Sequence, residues 1–399
     1  MPRNVWILSL IALGVAIGFG VVNPVLPVFA SSFAVDEFAA GAVVAAFALM
    51  RLLFAPAVGF LTDRLGHRLV LLSGILIVAL SSVGVGLAQS YPAMLLARGA
   101  GGAGSAMFSV SAMTVLLASV EADRRGRASA LYQGSFLVGA VAGPAVGGLF
   151  AAISLRAPFF FYAGTLVIAA LVALNLEAVP GLIAGPGGRA VSRKLGTASS
   201  IKPRPLGEVL RDRRYQAALL AALAQGWNTA GARGALVPLF VAAVLASSPS
   251  QAALWTGLAM SLAAGLQMAA IWPSGWIVDR YGRRGPMVGG ALVAGIAMVF
   301  LPHSPSIVWL TALLMVYALG AALIGTAPAA AVGDAAGPGA TRAIAVFSMA
   351  GDTGAVLGPL VAGYLAAQTS YTAAFSAGAG LWLASAVTSW LMRPPEARA

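Results

Sequence analysis

Four ionisable residues stand inside long hydrophobic runs: Arg51, Arg98, Arg233 and Asp352. Desolvating a charge there is costly, so each is a candidate for function by default. Burial makes a carboxyl hold its proton more firmly, and an adjacent arginine makes it hold the proton less firmly. Asp352 therefore has the chemistry of a proton switch. It follows Arg342 by ten residues, which along a helix is about 15 Å. Arg51 precedes Asp63 by twelve residues, about 18 Å along its own helix. Arg233 shares a helical face with Gln225 and Thr229, which precede it at four-residue intervals, and Asn228 is close by. That stripe offers hydrogen bonds and a charge to a solute.

Other chemistries are poorly supplied. The 399 residues include no cysteine and only two histidines, His67 and His303. Thiolate chemistry is excluded, and neither a zinc site nor a Ser/His/Asp arrangement can be drawn. No GxxxxGK[ST] loop is present, so ATP hydrolysis within the chain is not expected. The residues point to no enzyme, no metal and no bound cofactor.

The elements that must carry these charges announce themselves by repetition. GFLTDRLGHR at 59–68 recurs as GWIVDRYGRR at 275–284. Five identities share an offset of 216: Gly59/Gly275, Asp63/Asp279, Arg64/Arg280, Gly66/Gly282 and Arg68/Arg284. Each stretch follows an apolar run. A second series, at offset 215, pairs Arg127 with Arg342, Gly139 with Gly354, Gly143 with Gly358, Pro144 with Pro359 and Gly148 with Gly363. The chain is an internal duplication.

Composition places the duplicate in lipid. Hydrophobic residues make up 60% and charged residues 9%, against about 25% charged in a soluble protein. Runs long enough to cross a bilayer are expected at 5–30, 39–61, 69–89, 92–118, 127–152, 157–176, 215–245, 252–276, 286–302, 306–331, 342–366 and 372–391. The fold class is an all-α polytopic membrane protein. Twelve spans divide into a six-helix half at 1–176 and another at 215–399. The Gly-, Pro- and base-rich stretch 177–214 reads as a linker.

Lysine and arginine are retained in cytoplasmic loops. With the N-terminus inside, 20 of the 24 bases fall inside. Arg51, Arg98 and Arg233 lie within spans, which leaves Arg156 outside. Both termini are thus expected in the cytoplasm. The same distribution accounts for the net charge of +12 without nucleic acid as a partner. Six spans repeating as six in the same orientation match the parallel repeat of a two-lobed transporter.

These residues resemble the major facilitator superfamily, over essentially the whole chain. GFLTDRLGHR and GWIVDRYGRR look like its loop 2–3 motif and the loop 8–9 repeat of it. RGAGGAGSA from Arg98 is similar to its fourth-span motif, and GAVAGPAVGG at 139–148 to the fifth-span motif associated with antiporters.

Asp63 can accept hydrogen bonds at a neighbouring helix N-terminus, where the dipole is positive. The resemblance implies that this helix is the eleventh, so that the motif residues Gly59, Asp63, Arg64, Gly66 and Arg68, with Gly275, Asp279, Arg280, Gly282 and Arg284, act as conformational gates. Merely topogenic loops are the alternative. Gly139, Gly143, Pro144, Gly147 and Gly148, with Gly354, Gly358 and Pro359, form stripes for close packing and hinges.

The resemblance also implies that the second and eleventh helices adjoin, which suggests an Arg51–Asp352 pair, either a proton switch or a static bridge. It gives Arg98 a part in proton or substrate handling, with snorkelling as the alternative. It places spans one, four, seven and ten around a central cavity. Asn23, Ser105, Ser109 and Tyr317 would then join Gln225, Asn228, Thr229 and Arg233 as solute contacts, unless the hydroxyls bond their own backbone.

The leading functional reading is a secondary transporter in the plasma membrane that exports a small organic solute by alternating access. The proton gradient is its energy source, and a monomer is expected. Uptake or facilitated diffusion of a metabolite is the nearest alternative. A non-transporting receptor or scaffold is the alternative of another class.

Overall fold

The computed structural model describes residues 1–121, 124–177, 206–336 and 341–392. Most of the stretch read as linker lies outside them, at 178–205. So do Arg189, Arg193, Lys194, Lys202, Arg204, Arg393 and Arg398.

Among the described residues the secondary structure is helical. The first half holds α1 (Arg3–Val22), α2 (Leu26–Ser31), α3 (Glu37–Leu65), α4 (His67–Leu87), α5 (Tyr91–Ala118), α6 (Arg125–Ile153) and α7 (Ala157–Ala173). A short α8 (Leu206–Arg211) precedes α9 (Arg213–Gly226). The latter runs on as a π-helix (Trp227–Leu236), α10 (Val237–Phe240) and a second π-helical segment (Val241–Leu245). Then come α11 (Pro249–Tyr281), α12 (Arg284–Phe300), α13 (Ile307–Ala336), α14 (Thr341–Gln368) and α15 (Tyr371–Trp390).

Ten described helices are long and apolar enough to cross a membrane. The two expected runs outside that ten are α7, apolar but 17 residues long, and α15.

Local sequence explains the helix boundaries. Asp212 caps α9 by accepting from the Arg214 backbone N–H at 2.9 Å, and Ser370 caps α15 by accepting from Ala373 at 3.2 Å. Proline sits in the first turn of α5 and α7, where no backbone donor is lost. Between α3 and α4 the chain turns at Gly66 with φ +79°, and between α11 and α12 it turns at Gly282 with φ +78°. Only glycine adopts that conformation freely. The duplicated motif is therefore a repeated backbone turn as well as a repeated set of charges.

The chain falls into two compact units. One comprises Met1–Val35, Ala42–Thr197 and Ala246–Ser261, and the other Asp36–Gly41, Ala198–Leu245 and Leu262–Ala399. Within the first, α1 packs on α6 and α7, and α4 on α5 and α7. Within the second, the helix from Arg213 packs on α14 and α15, and α12 on α13 and α15.

Glycine makes these contacts close. A Cβ on Gly143 would lie 2.6 Å from the Gly20 Cα, and one on Gly358 would lie 2.5 Å from the Trp227 carbonyl oxygen. Gly139 and Gly147 face α1 in the same way, and Gly354 faces the helix from Arg213. The sequence carries a further repeat among its glycines. Gly74 meets Gly104 between α4 and α5, and Gly290 meets Gly320 between α12 and α13, all at offset 216.

Two of the helix prolines, Pro144 and Pro359, meet close neighbours within their own units. In the first, the Ala145 N–H beside Pro144 donates to Ser261 Oγ at 2.8 Å. Gly257 approaches the Pro144 carbonyl there. In the second, Gly41 approaches the Pro359 carbonyl, and a Cβ on Gly363 would lie 2.6 Å from the Glu37 carbonyl. A side-chain partner of this kind makes a proline tolerable where no water reaches.

Surface chemistry agrees with lipid immersion. Trp6, Trp272, Trp276, Trp309 and Trp390 are exposed, whereas Trp227 and Trp382 are buried. Arg156, the base expected outside, donates to the Gly86 carbonyl at 3.2 Å and the Ala88 carbonyl at 3.0 Å. It thereby neutralises the negative end of α4.

Replacing Gly143 or Gly358 by alanine is expected to cost about 1–3 kcal/mol through overpacking, read as a lower thermal midpoint in detergent. Gly289→Ala, where a Cβ meets nothing, should leave the midpoint unchanged or raise it. Gly66→Ala and Gly282→Ala are each expected to cost about 1–3 kcal/mol, because the positive φ at both positions disfavours a side chain.

Candidate functional site

Each unit holds an arginine that the sequence places within a span and that lies beside aromatic rings, Arg98 in the first and Arg233 in the second. In the first unit Arg98, on α5, is 6% exposed. Its guanidinium carbon lies 4.2 Å from the centroid of Phe47 on α3 and 5.8 Å from that of Phe19 on α1. The small residues that follow it bring these helices together: a Cβ on Gly102 would strike the Phe47 carbonyl, and one on Gly99 would lie 3.4 Å from Met50. Arg98 Nε has no hydrogen-bond partner. The aromatic faces supply part of the stabilisation that water would give a cation.

In the second unit Arg233 lies on the π-helix. Its guanidinium carbon is 5.5 Å from the centroid of Tyr317 on α13, and Nη1 donates to Gln267 Oε1 on α11 at 3.4 Å. Tyr317 is fully buried. Its hydroxyl lies against Trp382 and Arg233 without a well-aligned hydrogen bond to either. The indole Nε1 atoms of Trp227 and Trp382 are also buried without partners.

The expected polar stripe is thus only partly assembled. Arg233 and Tyr317 come together. Asn228 is engaged elsewhere, because its Nδ2 donates to the Ala224 carbonyl at 2.9 Å and to Gly378 on α15 at 3.2 Å. It ties two helices of the unit, while its Oδ1 stays unpaired. Thr229 is exposed, and Gln225 keeps a buried, unpaired Oε1. The stretch Trp227–Leu236 is π-wound, with turns closed by i→i+5 bonds.

Among the candidates in the first unit, Ser109 donates to the Ser105 carbonyl at 2.7 Å, so its hydroxyl is satisfied within its own helix. Asn23 is half-buried at the break between α1 and α2. Phe47, Phe19 and Gln267, which hold the two arginines, were not singled out from the sequence. Nothing local marks them, since each reaches its arginine only across helices.

Arg51 is exposed on α3 in the first unit, and Asp352 is half-buried on α14 in the second.

The repeated motif makes matching contacts in its two copies. Asp63 and Asp279 are exposed. Arg64 lies 4.0 Å over Phe60, and Arg280 lies 5.3 Å over Trp276, one helical turn back in each case. Arg68 donates to the carbonyl of Leu174, just after α7. Arg284 lies 4.4 Å over the ring of Trp390, at the end of α15. Leu174 and Trp390 are themselves 216 residues apart. The last arginine of each motif therefore joins the start of one helix to the end of another inside its own unit. A Cβ at Gly59 or Gly275 would meet nothing, so packing does not demand glycine at those two positions.

Known proteins are similar to this chain. A family model described as Major Facilitator Superfamily matches residues 8–253 and again 218–399. Over 177 residues the chain is 31% identical to the Quinolone resistance protein NorA of Staphylococcus aureus (strain MRSA252), covering 43% of this chain and 44% of that protein. Over 174 residues it is 31% identical to Multidrug resistance protein 2 of Bacillus subtilis (strain 168), covering 43% of each. These matches span less than half the length of either relative.

Among solved structures, the peptide transporter POT in complex with sulfate aligns with a TM-score of 0.77 at 13% identity, over 98% of this chain and 94% of that one. The nucleoside transporter NupG aligns with a TM-score of 0.76 at 16% identity, over 98% and 100%. At such identities the likeness is one of fold. Family match, shared fold and repeated apolar helices agree: the chain belongs to the Major Facilitator Superfamily and is an integral membrane protein.

Proposed function

We propose that this transporter exports a small organic solute from the cytoplasm across the plasma membrane by alternating access, in exchange for protons. The observation that carries export is the 31% identity, over 177 and 174 residues, to two relatives named for drug resistance. Twelve spans in two six-helix halves, with both termini cytoplasmic, accord with the distribution of lysine and arginine.

Roles follow from position and chemistry. Asp352 is the proton carrier, because it is the acid that sequence places deepest within a span and a carboxyl there responds to small changes in its surroundings. Arg51 and Arg98 modulate the proton equilibrium. Asp63 and Asp279 serve as conformational gates at the two repeated turns. Arg233 and its neighbours in the second unit supply solute contacts.

Removal of the gene is expected to sensitise cells to several amphiphilic compounds. Loss of growth on a single carbon source, without such sensitivity, would instead mark uptake. In proteoliposomes with an imposed pH gradient, Asp352→Asn should lower gradient-driven flux about tenfold or more while solute exchange without a gradient persists. Unchanged coupling in that variant overturns the proton assignment.

A further inference from the structure

We propose that the solute recognised by this transporter is an organic anion, whose acid group is received by Arg233. This rests on the export reading and names its substrate class. Arg233 is only half-buried, so part of its guanidinium is open to a ligand. A guanidinium carries five N–H donors. One of them is occupied, by the neutral Gln267 Oε1 at a long 3.4 Å. Among the described residues no carboxylate pairs with Arg233.

The group is nevertheless held in place. Tyr317 lies beneath it at 5.5 Å, fully buried and backed by Trp382, and Gln267 restrains one edge. A planar fork of donors fixed in orientation and lacking a counter-ion matches the paired oxygens of an acid group such as a carboxylate.

The first unit shows the same deficit independently. Arg98 is more than nine-tenths buried, lies on Phe47 and Phe19, and keeps an unpaired Nε. A site built for organic cations would need the reverse, an acid left available. Of the 12 acids in the chain, only Asp352 is placed by sequence deep within a span, and it has an interaction of its own. Two arginines without a carboxylate partner among the described residues make the charge selectivity of these sites anionic.

Three probes with one ring system separate charge from shape: 2-naphthoate, 2-naphthamide and a naphthyl trimethylammonium salt. Binding to the full chain in nanodiscs is followed by quenching of tryptophan fluorescence. The carboxylate is expected to bind about tenfold or more tighter than the other two, the scale of one charge-assisted contact. Arg233→Gln should reduce the carboxylate to the level of the amide, and Arg233→Lys should restore part of the preference.

Equal or tighter binding of the ammonium probe overturns the proposal. So does a preference that survives in Arg233→Gln, or a failure of all three probes to bind. The ranking in the unmodified chain decides the matter even where a variant does not fold. Binding needs no flux, so the two readings fail separately. Carboxylate preference without transport in proteoliposomes overturns export alone, whereas transport of cations but not carboxylates overturns the anion assignment alone.

Discussion

Inside lipid a backbone has only itself to bond to, so every spanning segment is a helix, and helices gain little from burying apolar side chains against one another. Close contact must come from places where side chains are small. Gly143 against Gly20, Gly358 against Trp227, Gly74 against Gly104 and Gly290 against Gly320 are such places. Each lets two backbones approach to distances a Cβ would forbid. The helix order of both units depends on these contacts, and the functional side chains are carried by the helices so fixed.

The same constraint governs the charges. Arg98 sits in an apolar interior and is stabilised by aromatic faces rather than by an acid. Arg233 shares that solution, with Tyr317 beneath it and an amide at its edge. At the repeated turns the arginines lie instead on Phe60, Trp276 and Trp390 or donate to a carbonyl beyond α7. Aromatic rings thus serve both to hold cations at the ends of helices and to hold them within. A transporter with this economy of carboxylates keeps its interior cationic, which bears on what it can carry.

Much of this was open to sequence reading. The offset of 216 located Gly66 and Gly282, and their positive φ shows why glycine stands there in both copies. Gly139, Gly143 and Gly147, spaced by four, face α1 as a helical stripe must. The tryptophans near helix ends are exposed and the two deeper ones are buried. Less was legible at Asn228, which the sequence places close to Arg233 along the chain. The turn at Trp227–Leu236 is π-wound, and the amide bonds to Gly378 on α15 instead.

Periodicity, offset and charge are properties of the chain read in order, and lipid makes them strict. An apolar run of sufficient length becomes a helix, a glycine at a positive φ marks a turn, and a duplicated motif becomes a duplicated turn. Those features the sequence determined by itself. Which side chain meets which across helices was decided only by the tertiary structure, because nothing local encodes it. Phe47 reaches Arg98, and Gln267 and Tyr317 reach Arg233, over 51, 34 and 84 residues of chain. The packing of small residues, and one stretch of altered helical winding, place those partners together.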